Sequence, residues 1–240
     1  MKKQLLLMFA LFFGTFEYSS LLQAMPPIEK SDKTNQGTEQ SIPSPKNWLQ
    51  QGSNALLDEL DQHLDEFKND QQSLEQFLYQ KALPYWDTRL MSKGLAGKYW
   101  YKSNPKLRKE LQLNWNWTLV RYFVTAFKFY HGQRLDLENR VKCSIETRCW
   151  LRTVVSVVGK EDVNIDFYAH LTKHRKSKSN QLQWHLIDIR VAGISIIKHK
   201  KGETRQILHQ KGIQGLISAL SNKNKKNLKM ILVNNNDIQR

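Results

Sequence analysis

The stretch from Trp184 to Ile197, WHLIDIRVAGISII, constrains this chain more than any other. Its side chains alternate as in a strand, with Trp184, Leu186, Asp188 and Arg190 on one side. His185, Ile187, Ile189 and Val191 fall on the other, and that nearly all-apolar set predicts the buried face. Gly193 interrupts the run, and an isolated glycine in a strand predicts a bulge, a bend or a close backbone approach. Ile194, Ile196 and Ile197 then resume the apolar pattern. A strand this long and apolar must bury its face against a second large layer.

Three further β-rich stretches precede it. One opens near Val141, a second spans Arg148 to Val158 and a third Val163 to Thr172. In the third, Val163, Ile165, Phe167, Ala169 and Leu171 alternate with Asn164, Asp166, Tyr168 and His170. One face is therefore apolar and the other half-solvated. The connections, Gly159 to Asp162 and the basic loop His174 to Asn180, suit an antiparallel meander of about four strands.

Helical periods dominate the remainder. Leu56, Leu60, Leu64 and Phe67 recur at helical spacing, with Leu57 widening the stripe and Asn69-Asp70 closing it. Ser73 predicts the cap of a second helix, carrying Leu74, Phe77 and Leu78, which Pro84 interrupts after Leu83. Asn104-Pro105 predicts the start of a long helix running to Tyr130, about 40 Å by its rise per residue. Its apolar residues, from Leu111 and Trp115 to Phe127 and Tyr130, cover more than one face. That width predicts a helix covered on two sides or facing a cavity. After the strands, Ile213, Leu216, Ile217 and Leu220 predict a last helix, and Lys223 to Lys229 reads as a solvated charge run. The fold class expected is α+β, a twisted antiparallel sheet packed against several helices. Six tryptophans beside predicted elements fill a packed core on one reading and line an apolar cavity on the other.

The two ends read differently. Lys2 and Lys3, an apolar run from Leu5 to Phe16 and the small-residue exit at Ala24 predict a signal peptide over residues 1–24. That run is too short for a membrane span of about 20 residues. Residues 25–46 are polar and proline-rich, a disordered leader. The domain is then expected over 47–222, with a basic polar tail over 223–240. The formal net charge is +15, which in an exported protein points to anionic lipid headgroups before nucleic acid.

Cys143 and Cys149 would stand about 20 Å apart on one straight strand. A hairpin turning at Ile145-Glu146-Thr147 would instead set them opposite one another, in disulfide range. No catalytic set assembles from the rest. Nucleophile elbow, glycine-rich phosphate loop and clustered cysteine ligands are absent from the sequence. His170 and His174 are four apart but near a strand end, where that spacing brings no metal register. Asp87, Asp166 and Asp188 read as caps or ion-pair partners before they read as catalytic acids.

The order of motifs resembles the MlaC, or toluene-tolerance auxiliary, family of periplasmic phospholipid-binding proteins. The residues that carry the likeness are Leu83-Pro84-Tyr85-Trp86-Asp87, Met91, Leu95-Ala96-Gly97, Trp100 and Leu119-Val120-Arg121-Tyr122. Trp184-x-x-x-Asp188-x-x-x-x-Gly193-x-Ser195 follows, then Gly212, Leu216 and Leu220. Ala192 stands where the family often has an acidic residue. The resemblance implies a carrier without catalysis, with phospholipid as cargo and no cofactor, holding acyl chains in an apolar cavity between helices and sheet. It implies candidate lipid-binding residues Leu95, Leu119, Phe123, Phe127, Val155, Val157, Ile165, Phe167, Ile187, Ile189 and Val191. It also implies a periplasmic monomer that trades lipid between an outer-membrane lipoprotein–porin complex and an inner-membrane MCE/ABC transporter complex, preserving outer-membrane asymmetry, with no nucleic-acid partner. The alternative is a basic periplasmic module for another lipid or polyanion, such as hopanoid or lipopolysaccharide.

Overall fold

Side-chain caps partition the first half of the chain into short helices. The computed structural model describes residues 42–155, 162–173 and 182–229, without the side chains of Arg140 and Lys173. Helix α1, Pro45–Gln62, begins where the Ser44 hydroxyl accepts from the Asn47 amide, and it buries Leu49 and Leu60. Helix α2, Leu64–Asn69, ends at Asp70, whose carboxylate caps α3, Gln71–Phe77, by accepting from the Gln72 amide at 2.9 Å. The expected cap at Ser73 is displaced because this stronger acceptor lies three residues earlier. A π-helical turn, Leu78–Ala82, and a 3-10 turn, Leu83–Tyr85, carry the chain past Pro84. Helices α4, Thr88–Ala96, and α5, Lys98–Lys102, follow.

The long helix α6 spans Pro105–Phe127, capped as expected by Asn104, which accepts from the Leu107 amide at 2.9 Å. It stops three residues short of Tyr130. There the Phe129 and Tyr130 amides turn to the carbonyls of Ala126 and Phe127, tightening the last turn to the 3-10 pattern.

The sheet is an antiparallel meander in the order β1-β2-β3-β4-β5: Asp136–Ile145, Arg148–Val155, Val163–Lys173, Leu182–Val191 and Ile194–Ser195. The fifth strand, beyond the four expected, is a two-residue return after a tight turn. That turn is Ala192-Gly193, with φ of 49° and 84°. Two left-handed residues in a row make the turn that matches strand twist, so Gly193 acts as a turn residue and not as a bulge. Cys143 and Cys149 face one another across β1 and β2 and are joined by a disulfide, which resolves the two placements in favour of the hairpin.

The bulge lies at Ile187. Tyr168 pairs with Asp188 and Ala169 with Leu186, which leaves Ile187 as the extra residue in β4. The parity of β4 therefore reverses at that point. Trp184 and Leu186 share a face with Leu171 and Ala169, and Ile189 and Val191 continue that same face opposite Phe167 and Ile165. The expectation of a single buried face from His185 through Val191 is corrected accordingly: His185 stands opposite His170 on the other side of the sheet.

The last helix, α7, runs Ile196–Asn227 and is broken at Gly212, where φ is 59° and ψ is −158°. Only glycine adopts that backbone region readily. The two arms bury Ile196, Lys200, Thr204 and Leu208 on one side of the break and Ile213, Leu216, Ile217, Leu220 and Asn224 on the other. Residues 223–227 continue α7, with Asn224 and Leu228 buried against the fold while Lys223, Lys225 and Lys226 face solvent. At the other end the Trp184 indole donates to the Pro43 carbonyl, which ties residues ahead of α1 to β4. The signal-peptide segment 1–24, most of the 25–46 leader, Val157 and the loop from His174 to Asn180 lie outside the described residues.

Helix α6 is pinned to α1 at its end. The Tyr130 hydroxyl donates to Asp61 at 2.7 Å, and Arg134 bonds Asp58, Asp61 and the same hydroxyl. Burial, with the hydrogen bond and charge of Asp61, pushes the Tyr130 hydroxyl up to about 12. A folded pKa above the unfolded value of about 10 means a contribution complete below that pH and lost as pH rises through the folded value. Tyr130→Phe is expected to be less stable than the parent at neutral pH. The gap should shrink between about pH 9 and 12 in urea denaturation. Gly212→Ala forces a side chain into a glycine-only conformation and is expected to cost about 1–3 kcal/mol in the same assay.

Candidate functional site

Strand pairing places the apolar alternations of β2, β3 and β4 on one side of the sheet. Cys149, Leu151, Thr153 and Val155 of β2 face Ala169, Phe167, Ile165 and Val163 of β3. Leu171, Ala169, Phe167 and Ile165 in turn face Trp184, Leu186, Ile189 and Val191 of β4. This inner face is covered at one end and open at the other. Cys149, Leu151, Ala169, Trp184 and Leu186 are all less than 5% exposed. Val155, Ile165, Ile189 and Val191, toward the β4–β5 turn, are only half-buried.

The helices approach the sheet most closely along its edges. Helix α1 packs on β1 and β2, while α4, α7 and the turn at Leu83–Tyr85 pack on β4. Trp86 forms an isolated parallel bridge with Leu186, and the Asp87 amide donates to the Leu186 carbonyl at 2.9 Å. Helix α6 packs chiefly within its own layer, on α7, α4 and α3. Phe123 reaches toward the sheet through Trp86, with ring centroids 5.8 Å apart. Phe127 lies 6.4 Å from both Phe67 and Tyr130.

The residues named as lining thus separate into groups. Val155, Ile165, Phe167, Ile189 and Val191 form one continuous patch of the inner face, and Phe123 stands beside Trp86. Leu95 and Leu119 are fully buried. Ile187 drops out of the row as the bulge residue, and Phe127 belongs to an aromatic cluster with Phe67 and Tyr130. Trp86, Trp184 and Leu186 were missed as inner-face residues. The bulge hid the last two, because period-two reading across an extra residue assigns them to the wrong side. Thr153 also lies on this face, fully buried, and its hydroxyl has no partner among the described residues.

The opposite face is polar and cross-linked. Trp150 stacks on Tyr168 at 4.4 Å, and the Arg190 guanidinium lies 3.6 Å from the centre of the Trp150 ring. Arg152 pairs with Asp166 at 2.8 Å. Burial, with the charges of Arg148 and His185 outweighing Asp87, holds His170 below the ordinary imidazole value. Among the described residues no group of three or more His, Cys, Asp or Glu is placed to hold a metal.

All three singled-out acids are engaged structurally. Asp87 caps α4 through the Leu90 amide at 2.8 Å, and Asp166 holds Arg152. Asp188 does the most. Its carboxylate accepts from the Ile189 and Ile197 amides and from the Ser195 hydroxyl at 2.6 Å. Ser195 in turn caps α7 by accepting from the Lys198 amide at 3.0 Å. The Asp188, Gly193 and Ser195 pattern is therefore a device that joins the bulge, the hairpin turn and the start of the last helix.

Comparison with known proteins agrees with this layout. The family model described as MlaC protein matches residues 50–222. A solved structure of a phospholipid-binding protein from Ralstonia solanacearum, in complex with a phospholipid, superposes with a TM-score of 0.66. It covers 77% of this chain and 98% of its own, at 19% sequence identity, which establishes a shared fold.

Asp188→Ala removes one charged acceptor from two amides and a hydroxyl, and it is expected to cost roughly 2–3 kcal/mol in urea unfolding. Asp188→Asn, which keeps one acceptor oxygen, should lose less than half of that.

Proposed function

This chain belongs to the MlaC family, and from that premise we propose that it is a phospholipid carrier that shelters acyl chains against the open end of its inner sheet face. The observation that carries the reading is the change of cover along one continuous apolar surface. Beside Trp184 and Leu186 it is closed, whereas Val155, Ile165, Ile189 and Val191 are left half-buried. A sheet that only had to fold would gain by covering that end as well, at about 25 cal/mol for each Å² removed from water. Phe123 and Trp86 supply an aromatic wall next to it.

The cargo's chemistry sets the scale. Two chains of about fifteen methylenes cost about 24 kcal/mol to expose to water, at roughly 0.8 kcal/mol per methylene. A carrier offsets most of that with apolar lining and needs no reacting group. The structurally engaged carboxylates of Asp87, Asp166 and Asp188 are compatible with such a role. The phospholipid in the Ralstonia solanacearum relative of the fold supports the same ligand class. In the proposed setting residues 1–24 direct export, and the protein works in the periplasm. It there passes lipid between an outer-membrane lipoprotein–porin complex and an inner-membrane MCE/ABC transporter complex to keep the outer membrane asymmetric. Among the described residues no helix is long and apolar enough to cross a membrane.

The test is organic extraction of natively purified protein followed by mass spectrometry. Phospholipid is expected near one molecule per chain. Ile189→Asp, on the half-buried patch, should at least halve that occupancy while circular dichroism stays unchanged. Leu182→Asp, at an exposed position on the same strand, should not. Protein that emerges folded and free of phospholipid would overturn the proposal.

A further inference from the structure

The break at Gly212 has an electrostatic consequence. In an unbroken helix Lys200 and Lys223 would be about 34 Å apart, from the rise per residue. The break turns the second arm of α7 back on the first, where a Cβ on Gly215 would lie 3.3 Å from Ile207 Cγ2, and the two ammonium groups feel one another's charge. Arg121 of α6 joins them. Its Nε lies 3.4 Å from Asn224 Oδ1, one residue beyond Lys223, and its charge also reaches Lys223.

The seam is polar as well as cationic. Lys200 is 4% exposed, Thr204 is buried beside it along the arm, and Asn224 is buried opposite. Asn224 accepts from the Thr118 hydroxyl and donates to the Asn114 carbonyl. Against three cations stands, among the described residues, one paired carboxylate, that of Glu203. It holds Lys200 and interacts with His199. Burial works to raise Glu203, but the hydrogen bonds and charges of Lys200 and His199 hold it below the usual carboxylate range. Partial desolvation and the neighbouring charges of Lys200 and Arg121 depress Lys223, which stays exposed at the rim of the seam.

One donor in the seam is left over. Arg121 Nη2 is buried with no acceptor among the described residues. A buried guanidinium nitrogen without an acceptor costs several times what an ordinary hydrogen bond contributes, and cations in excess of their counter-charges add to that cost.

We propose that Arg121, Lys200 and Lys223 form an anion site at the seam between α6 and the two arms of α7, and that its ligand is a phosphate group. Three cations arriving from three different helical segments suit a tetrahedral oxyanion with several free oxygens better than a planar carboxylate, which one guanidinium satisfies alone. A free phosphate and the phosphodiester of a lipid headgroup share this chemistry. The inference stands apart from acyl-chain carriage, because a soluble ion tests it.

The experiment is calorimetric titration of inorganic phosphate into delipidated protein. Saturable one-to-one binding is expected. Arg121→Gln and Lys223→Gln should each weaken it at least tenfold, and Glu203→Gln should tighten it severalfold by removing the competing acid. Lys109→Gln, an exposed cation elsewhere on α6, should leave it within twofold. Lys223 lies on the exposed side of its arm, so its variant keeps the test decisive if Arg121→Gln fails to fold. Repeating the titration on protein reloaded with phosphatidylglycerol identifies the source. Loss of phosphate binding there assigns the site to the headgroup, and unchanged binding assigns it to free phosphate. No saturable binding to the delipidated protein overturns the proposal, as does a drop for Lys109→Gln equal to that for Lys223→Gln.

Discussion

One extra residue in β4 decides which side chains the sheet offers to the helices. Without the bulge at Ile187 the strand would alternate regularly, carrying Trp184 and Leu186 inward and then turning Ile189 and Val191 out to water. With it, all four lie on one face, and the polar partners Asp188 and Arg190 go to the other. A bulge costs a ladder pairing and needs something to hold it. Asp188, the next residue, does so by bonding the Ile189 amide while tying down Ser195 and the start of α7. The same carboxylate thus sets the register of the apolar face and the position from which the helix hairpin departs. Its neighbours on the outer face, the Arg190–Trp150–Tyr168 stack and the Arg152–Asp166 pair, brace the sheet on the side where charged residues meet solvent.

Much of this architecture was legible in the sequence. Asn104-Pro105 marked the start of α6, Asp87 read as a cap or an ion-pair partner, and the alternation in Val163 to Leu171 distinguished the two faces of β3 correctly. These are local signals, readable within one short segment of the chain. The failures share the opposite character. The β4 parity depended on a bulge that only the pairing with β3 defines, and the short β5 depended on the turn formed by Ala192 with Gly193. The charge run after Lys223 looked solvated because the apolar period lapses there. What buries Asn224 is a polar contact with Thr118 and Asn114 of α6, more than a hundred residues away. Polar burial leaves no hydrophobic period to read.

The candidate site was legible in the same partial way. Period-two alternation gave Ile165, Phe167, Ile189 and Val191, which the structure gathers into one patch. It could not give Trp86, because a single-residue bridge to Leu186 has no sequence signature. Nor could it separate Leu95 and Leu119, sealed in the helical layer, from Phe123, which lies only four residues along α6 from Leu119 and is half-buried. An apolar residue at helical spacing announces burial but not whether its neighbour is protein or ligand.

The points where the layers meet bear on how the proposed carrier would give up its cargo. Helix α1 holds the sheet at β1 and β2, and the Trp184–Pro43 bond, the Trp86–Leu186 bridge and the Asp188 network hold it at β4. Affinity worth tens of kcal/mol in buried methylenes is incompatible with release unless the lining itself can loosen. Packed cores resist small deformations, whereas a thinly covered end lets two layers part there as units. Cys143–Cys149 staples the β1–β2 hairpin, and the Arg152–Asp166 pair locks β2 to β3. The sheet would therefore move as one body against the helices. Any opening would then be expected at the half-buried end near the Ala192-Gly193 turn, where the inner face has least cover to lose.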